Sequence, residues 1–245
     1  MNLHRRLSPL ALTLSVAVAL CAPAAAQDNL SKVNGGIEVA AGQHVGNVDT
    51  VNGRIRVGDG ARLGDAETVN GGITLGDRVA GGDVETVNGS IAFGANASLD
   101  SLTTVNGGIR GGASARIAGD VETVSGSIFL DRGSEVGGDV ETVNGGIGLV
   151  GTRVGGKVET VNGDVTVGAG SHVRGGVFVR KPSSSWFPIN VNQRRPRIVI
   201  GPGAVVDGPL EFERAVTLYV HDSARTGAIS GAEAQRYSGD TPPRD

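Results

Sequence analysis

Aliphatic residues recur along most of this chain at fixed offsets, separated by polar residues or glycine. Residues 68–85 show the unit. Ile73 and Leu75 flank Thr74, which is the two-residue period of a strand. Val69, Val79 and Val84 read as pointing inward with them. Gly71-Gly72, Gly76-Asp77 and Gly81-Gly82 divide the unit into short runs and read as corners. The unit then repeats. Lys-Val-Asn-Gly-Gly-Ile at 32–37 becomes Thr-Val-Asn-Gly-Arg-Ile at 50–55, and the phrase starts again at Thr68, Thr86, Thr104, Thr123, Thr142 and Thr160, always 18 or 19 residues on.

A short, constant period is the signature of a solenoid whose repeats stack only on their neighbours. Helical repeats need more than about thirty residues, whereas eighteen suit one coil with three short sides. The pattern predicts an all-β fold, a single-stranded β-helix (β-solenoid) of about ten turns, each 18–19 residues long. Left-handed hexapeptide helices also have 18-residue turns, but they need an aliphatic residue at every sixth position. From Ile73 the sixth residue is Val79 and the twelfth is Glu85, so that phase breaks and the right-handed form is favoured.

Stacking sets equivalent residues about 4.8 Å apart in rows. The expected core stack is Ile37, Ile55, Ile73, Ile91, Ile109, Ile128 and Ile147. An amide row, Asn34, Asn52, Asn70, Asn88, Asn106, Asn144 and Asn162, is expected to bond its own corner backbone and the next amide along. A threonine row runs beside it through Thr50, Thr68, Thr86, Thr104, Thr123, Thr142 and Thr160. With valine inward, Thr and Asn would both face outward and form a flat polar surface that resembles those of ice-binding solenoids. Asp49, Glu67, Glu85, Glu122, Glu141 and Glu159 form an acidic row that Thr103 interrupts. Like charges stacked so closely repel, so this row is expected to face solvent, screened by ions or bridged by divalent cations. Arg54, Arg56, Arg62, Arg78, Arg110, Arg116, Arg132 and Arg153 are candidates to offset it from adjacent rows.

Composition supports a turn-rich β architecture. The 245 residues include 41 glycines, and each interior glycine costs a helix about 1 kcal/mol relative to alanine. The first 26 residues read as a cleaved secretory signal: Arg5 and Arg6, an apolar run from Leu10 to Leu20, then Ala24-Ala25-Ala26. The apolar run is too short to span a bilayer comfortably, so the mature chain is expected to have no transmembrane span. Cys21, preceded by Leu20, is a poor match to a lipoprotein site. Cleavage after Ala26 removes Cys21, the only cysteine, and moves the formal net charge from −3 to −5. No disulfide can then form, and nothing in that balance suggests nucleic acid binding. The expected localisation is periplasm, cell envelope or extracellular space.

The domain reading is signal 1–26, regular solenoid 27–179, loop 180–197, irregular solenoid turns 198–231 and polar tail 232–245. The loop holds three prolines, a serine run and the only tryptophan. Its candidate contact residues are Arg180, Lys181, Trp186, Phe187, Arg194, Arg195 and Arg197, which suit an anionic envelope surface such as phospholipid, lipopolysaccharide or peptidoglycan. The alternative is that Trp186 and Phe187 fold back over the solenoid. His44, His172 and His221 are scattered, and His221-Asp222-Ser223 is too compact in sequence to converge as a triad. No catalytic residue, metal ligand set or cofactor is expected, and a polysaccharide-active enzyme is the least supported class.

The run Val-Gly-Gly-Asp-Val-Glu-Thr-Val-Asn-Gly-Gly-Ile at 136–147 resembles the bactofilins, bacterial polymer-forming scaffolds built as right-handed β-helices. It is also similar to a broad group of exported bacterial proteins described as adhesins. The resemblance runs from Val33 to Ile229, and the leader departs from the bactofilins' usual place inside the cell. It implies a non-catalytic structural or adhesive rod of the bacterial envelope that pairs with itself through solenoid ends. The alternative is a surface-binding module for ice or an anionic glycan or lipid.

Overall fold

A computed structural model describes residues 28–181 and 195–243. The expected signal at 1–26, and Trp186, Phe187 and Arg194 of the loop, lie outside the described residues. The chain coils through three faces of parallel strands. The first and second faces are eleven-stranded sheets and the third is seven-stranded. Isolated bridges linking His44, Arg62, Ala80 and Ser98 carry the third face back through the early turns. Eleven turns, stacked at about 4.8 Å, make a rod about 50 Å long.

One turn explains the rest. The first-face strand Ala66–Asn70 alternates, with Ala66 and Thr68 buried and Glu67, Val69 and Asn70 exposed. After the glycine corner, Ile73–Leu75 on the second face buries Ile73 and Leu75 around exposed Thr74. Val79 and Val84 complete the inward set. Ile37, Ile55, Ile73, Ile91, Ile109, Ile128 and Ile147 are all buried and stack in register.

The reading of valine as inward in the Thr-Val-Asn phrase is overturned. Val51, Val69, Val87, Val105, Val124 and Val143 are 38–44% exposed, whereas their Thr neighbours are at most 5% exposed. The cause is a backbone acceptor at the corner. Thr68 Oγ1 donates to the Gly53 carbonyl (3.0 Å), Thr86 to Gly71 (2.8 Å) and Thr104 to Gly89 (2.9 Å), each one turn back. A carbonyl turned into the core needs a donor, and valine has none. The outward Thr-and-Asn surface therefore does not exist, and the outward residues of the phrase are Val and Asn.

From the second turn on, the glycine after the Asn is required by close approach. A Cβ at Gly71 would lie 1.9 Å from the Gly53 carbonyl oxygen, and one at Gly89 would lie 2.0 Å from that of Gly71. The corner after the second face has a different demand. There the backbone is left-handed at Gly60, Arg78, Asn96 and Ser114, with φ of 66°, 55°, 57° and 59°, so glycine is a convenience at that position rather than a necessity.

Length changes fall at the corners. Leu102 pairs with Val121, a 19-residue step, while Arg116 pairs with Ser98, an 18-residue step, and both pairings keep strand register. The loop at 180–197 follows the strand Val177–Val179 and precedes Arg197–Ile200, so it replaces a first-to-second-face corner. Part of the segment read as a polar tail is a strand. Ala234–Tyr237 pairs with Thr217–His221, and Tyr237 is buried with Val199 and Tyr219 in a second small cluster.

Candidate functional site

The three faces differ in chemistry, because outward residues at equivalent positions form continuous rows. On the first face the outward rows are the acidic one and, two residues further along each strand, the exposed valines. Asp49, Glu67 and Glu85 stack in register, and Thr103 intervenes before Glu122, Glu141 and Glu159. Val51, Val69, Val87 and Val105 line a shallow groove with the acids beside them.

The charge of the acidic row is not uniform. Lys157 Nζ lies 2.5 Å from Glu141, 3.1 Å from Glu159 and 3.9 Å from Asp139. Burial opposes the Lys157 charge, but the bonds to Glu141 and Glu159 hold its pKa above the usual lysine value. Arg180 adds contacts of 3.1 Å to both Glu159 and Glu213. The acids at the far end of the row are therefore paired with cations. Toward the first turns no salt bridge reaches Glu67, Glu85 or Glu122 among the described residues. Burial, then Asp49, Glu85, Asp65 and Asp83, pushes the Glu67 carboxyl above its ordinary range. Glu122 is raised by burial and by Glu141, Asp120 and Asp139, with Lys157 opposing.

The arginines do not offset this row as expected. Arg62, Arg116 and Arg153 stand on the third face, in one outward row that runs His44, Arg62, Ala80, Ser98, Arg116, Glu135, Arg153 and His172. Arg56 and Arg110 lie on the second face. Glu135 is shared by Arg116 at 3.8 Å and Arg153 at 2.8 Å, which leaves that trio net positive. Ala118, Gly137 and Gly155 lie two residues beyond the charged row, so a shallow groove of small residues runs alongside it. His172 Nε2 is 2.6 Å from Asp207.

The amide row is exposed and closed on itself. Asn52 Nδ2 donates to Asn34 Oδ1 (3.1 Å), Asn70 to Asn52 (2.9 Å), Asn88 to Asn70 and Asn106 to Asn88 (both 3.0 Å), and Asn162 to Asn144 (3.0 Å). Ser125 interrupts it, and Arg214 donates to the Asn162 side-chain oxygen at its end.

The described part of the basic loop is tied down. Arg180 lies over the Phe178 ring at 4.7 Å as well as between Glu159 and Glu213. The Lys181 N–H donates to Glu213 (3.0 Å). Backbone and guanidinium contacts from Lys181 and Arg180 hold the Glu213 carboxyl below its usual range. Arg197 donates its N–H to Asp164 (2.8 Å) and covers the Tyr219 ring at 4.9 Å. Arg195 is exposed. The cluster presents less free charge than its composition suggests.

His221 Nδ1 is 2.8 Å from Ser223 Oγ and accepts the Ser223 N–H at 3.1 Å, a local turn. Among the described residues no group of three or more His, Cys, Asp and Glu is placed to hold a metal ion, and no helix is long and apolar enough to cross a membrane. Sequence reasoning missed the valine row and the sorting of charge by face. The valine row follows from the phase of one strand, which Val84 already signals: with Val84 inward, strand alternation places Thr86 inward and Val87 outward. Compared with known family models, with curated proteins and with solved structures, the chain gives no match.

Proposed function

We propose that the protein is a non-catalytic rod of the bacterial envelope, structural or adhesive, that pairs with itself through an end. The export reading rests on the leader at 1–26, and the scaffold reading on the bactofilin-like and adhesin-like phrase at 136–147. The observation that carries it is the difference between the two ends. In the first turn, Leu30–Asn34 and Ile37–Val39 are each bonded along one side only, and among the described residues no element covers their other side. Open strand edges of this kind recruit another chain. The last turn is better closed: Tyr237 is buried beside Tyr219, and the Pro243 carbonyl accepts a bond from Arg197.

Sedimentation velocity and electron microscopy of residues 27–245 test this reading. End-paired rods twice the length of one chain are expected. Glu38→Pro, which places proline on the open edge, should return them to single rods. Co-sedimentation with envelope fractions tests the adhesive role. A chain that stays single at high concentration and leaves the envelope in solution would remove both.

A further inference from the structure

The acidic and basic rows are on different faces but share one geometry. On the first face an acid is followed two residues later by valine: Glu67 and Val69, Glu85 and Val87. In the middle of the third face a charged residue is followed two residues later by a small one, Arg116 and Ala118, Glu135 and Gly137, Arg153 and Gly155, with Asp100 and Arg174 at the two ends of that groove. Both pairs of rows climb the rod at the same step, about 4.8 Å per turn. The acids without a salt bridge, Glu67, Glu85 and Glu122, are exposed, as are Arg62, Arg116 and Arg153. The valines beside the acids are exposed apolar groups in a line, and the groove beside the arginines is shallow enough to take them.

We infer that the rod associates sideways with further copies of itself, the acid-and-valine face of one on the arginine-and-glycine face of the next. This rests on the scaffold reading above and adds a second contact to it. Charge complementarity identifies the partner: with Thr103 set opposite Glu135, Glu85 and Glu122 lie opposite the flanking Arg153 and Arg116, and valine meets the small-residue groove. The geometry also sets the orientation. Acid meets arginine while valine meets glycine only if the facing strands run the same way. Two coils of one hand present facing strands in the same direction when the rods lie antiparallel. The contact joins two different patches, so it does not close on itself, and each added rod leaves one face of each kind free.

Charge reversal tests it. The first-face variant is Glu67→Lys with Glu85→Lys. The third-face variant is Arg62→Glu with Arg116→Glu, Glu135→Arg and Arg153→Glu, which preserves the internal ion pairs while inverting the net sign. All carry Glu38→Pro to block end pairing, and circular dichroism with thermal melting checks that each folds. The parent Glu38→Pro chain should associate at low ionic strength and dissociate by roughly 0.3 M salt, where the Debye length has fallen to several ångströms. Each reversal alone should weaken association by about tenfold or more. An equimolar mixture of the two should regain it, because the reversed first face of one variant meets the reversed third face of the other only in the mixed contact. A parent chain that is single at low salt, reversals without effect, or a mixture that stays dissociated would each overturn the lateral contact. End-to-end pairing of the chain without Glu38→Pro would survive any of these, so the two contacts fail separately.

Discussion

Thr104 Oγ1 lies 2.9 Å from the carbonyl oxygen of Gly89, fifteen residues earlier and one turn back, with Thr104 only 1% exposed. The bond joins a buried hydroxyl to a corner carbonyl across the joint between two turns. Thr104→Val keeps the shape, strips the donor and leaves the carbonyl without it, which should cost about 1–3 kcal/mol. Val105→Thr, one residue on and outward, should be close to neutral. Urea denaturation of the two variants checks the phase. A larger loss at Val105 would mean that it, not Thr104, packs in the core.

Glycine at the two kinds of corner should respond differently to a methyl group. Gly89→Ala sets a Cβ against the Gly71 backbone at 2.0 Å, so the turns must separate, at a cost on the order of 3 kcal/mol or more. Gly60→Ala meets nothing within 4 Å and has only its positive φ to bear, a cost of about 1–2 kcal/mol. Gly60→Asn should cost less still, since Asn96 already occupies the equivalent corner. Thermal melts of the three variants should rank in that order.

The core stack was legible from the sequence, and so was the period, because isoleucine has one obvious place in a coil of this size. Ile109→Asp, at 1% exposure, should destabilise the middle turns by several kcal/mol, while Thr74→Asp on the outer surface should not. Equal losses by calorimetry would contradict the inward position of Ile109.

The order of Thr and Val within the repeated phrase was not legible from hydrophobicity, because it depends on a carbonyl that only the folded corner turns inward. Val84 and Val87 cannot both point inward on one strand, and that conflict was the available clue. The charge sorting was hidden for a related reason. Arg62 and Glu67 are five residues apart in sequence, yet a corner between them sends one to the third face and the other to the first. The amide row, by contrast, follows from repetition alone, since any outward Asn recurring once per turn meets its own kind.

Acid should favour the fold at the unpaired end of the acidic row. The Glu67 and Glu122 carboxyls take up protons more readily in the folded chain than in the unfolded one. The cost of their charge, from burial first and from neighbouring carboxylates second, is therefore absent below the ordinary carboxylate pKa. It appears as pH rises through that value and is complete once pH exceeds their raised folded values. Both are solvent-exposed, so Glu67→Gln should stabilise the chain at neutral pH by only about a few tenths of a kcal/mol. The gain should vanish near pH 3, about a unit below the unfolded glutamate pKa of about 4.3. Melting temperatures of the variant and its parent at the two pH values check the sign; a gain that grows in acid would refute it.

Strand pairing fastens each coil only to the coil before it and the coil after it, with Arg214 and Arg197 reaching past a neighbour near the C-terminal end, and that arrangement determines how the molecule yields under tension. A pull on the first strand loads the bonds of one turn while the rest carry the force without rearranging. The rod should therefore peel rather than rupture as a whole, releasing about 60 Å of chain per turn at roughly 3.3–3.6 Å per residue. The steps should lengthen at the turn that carries the insertion. An extension trace would then read out the corner lengths in order.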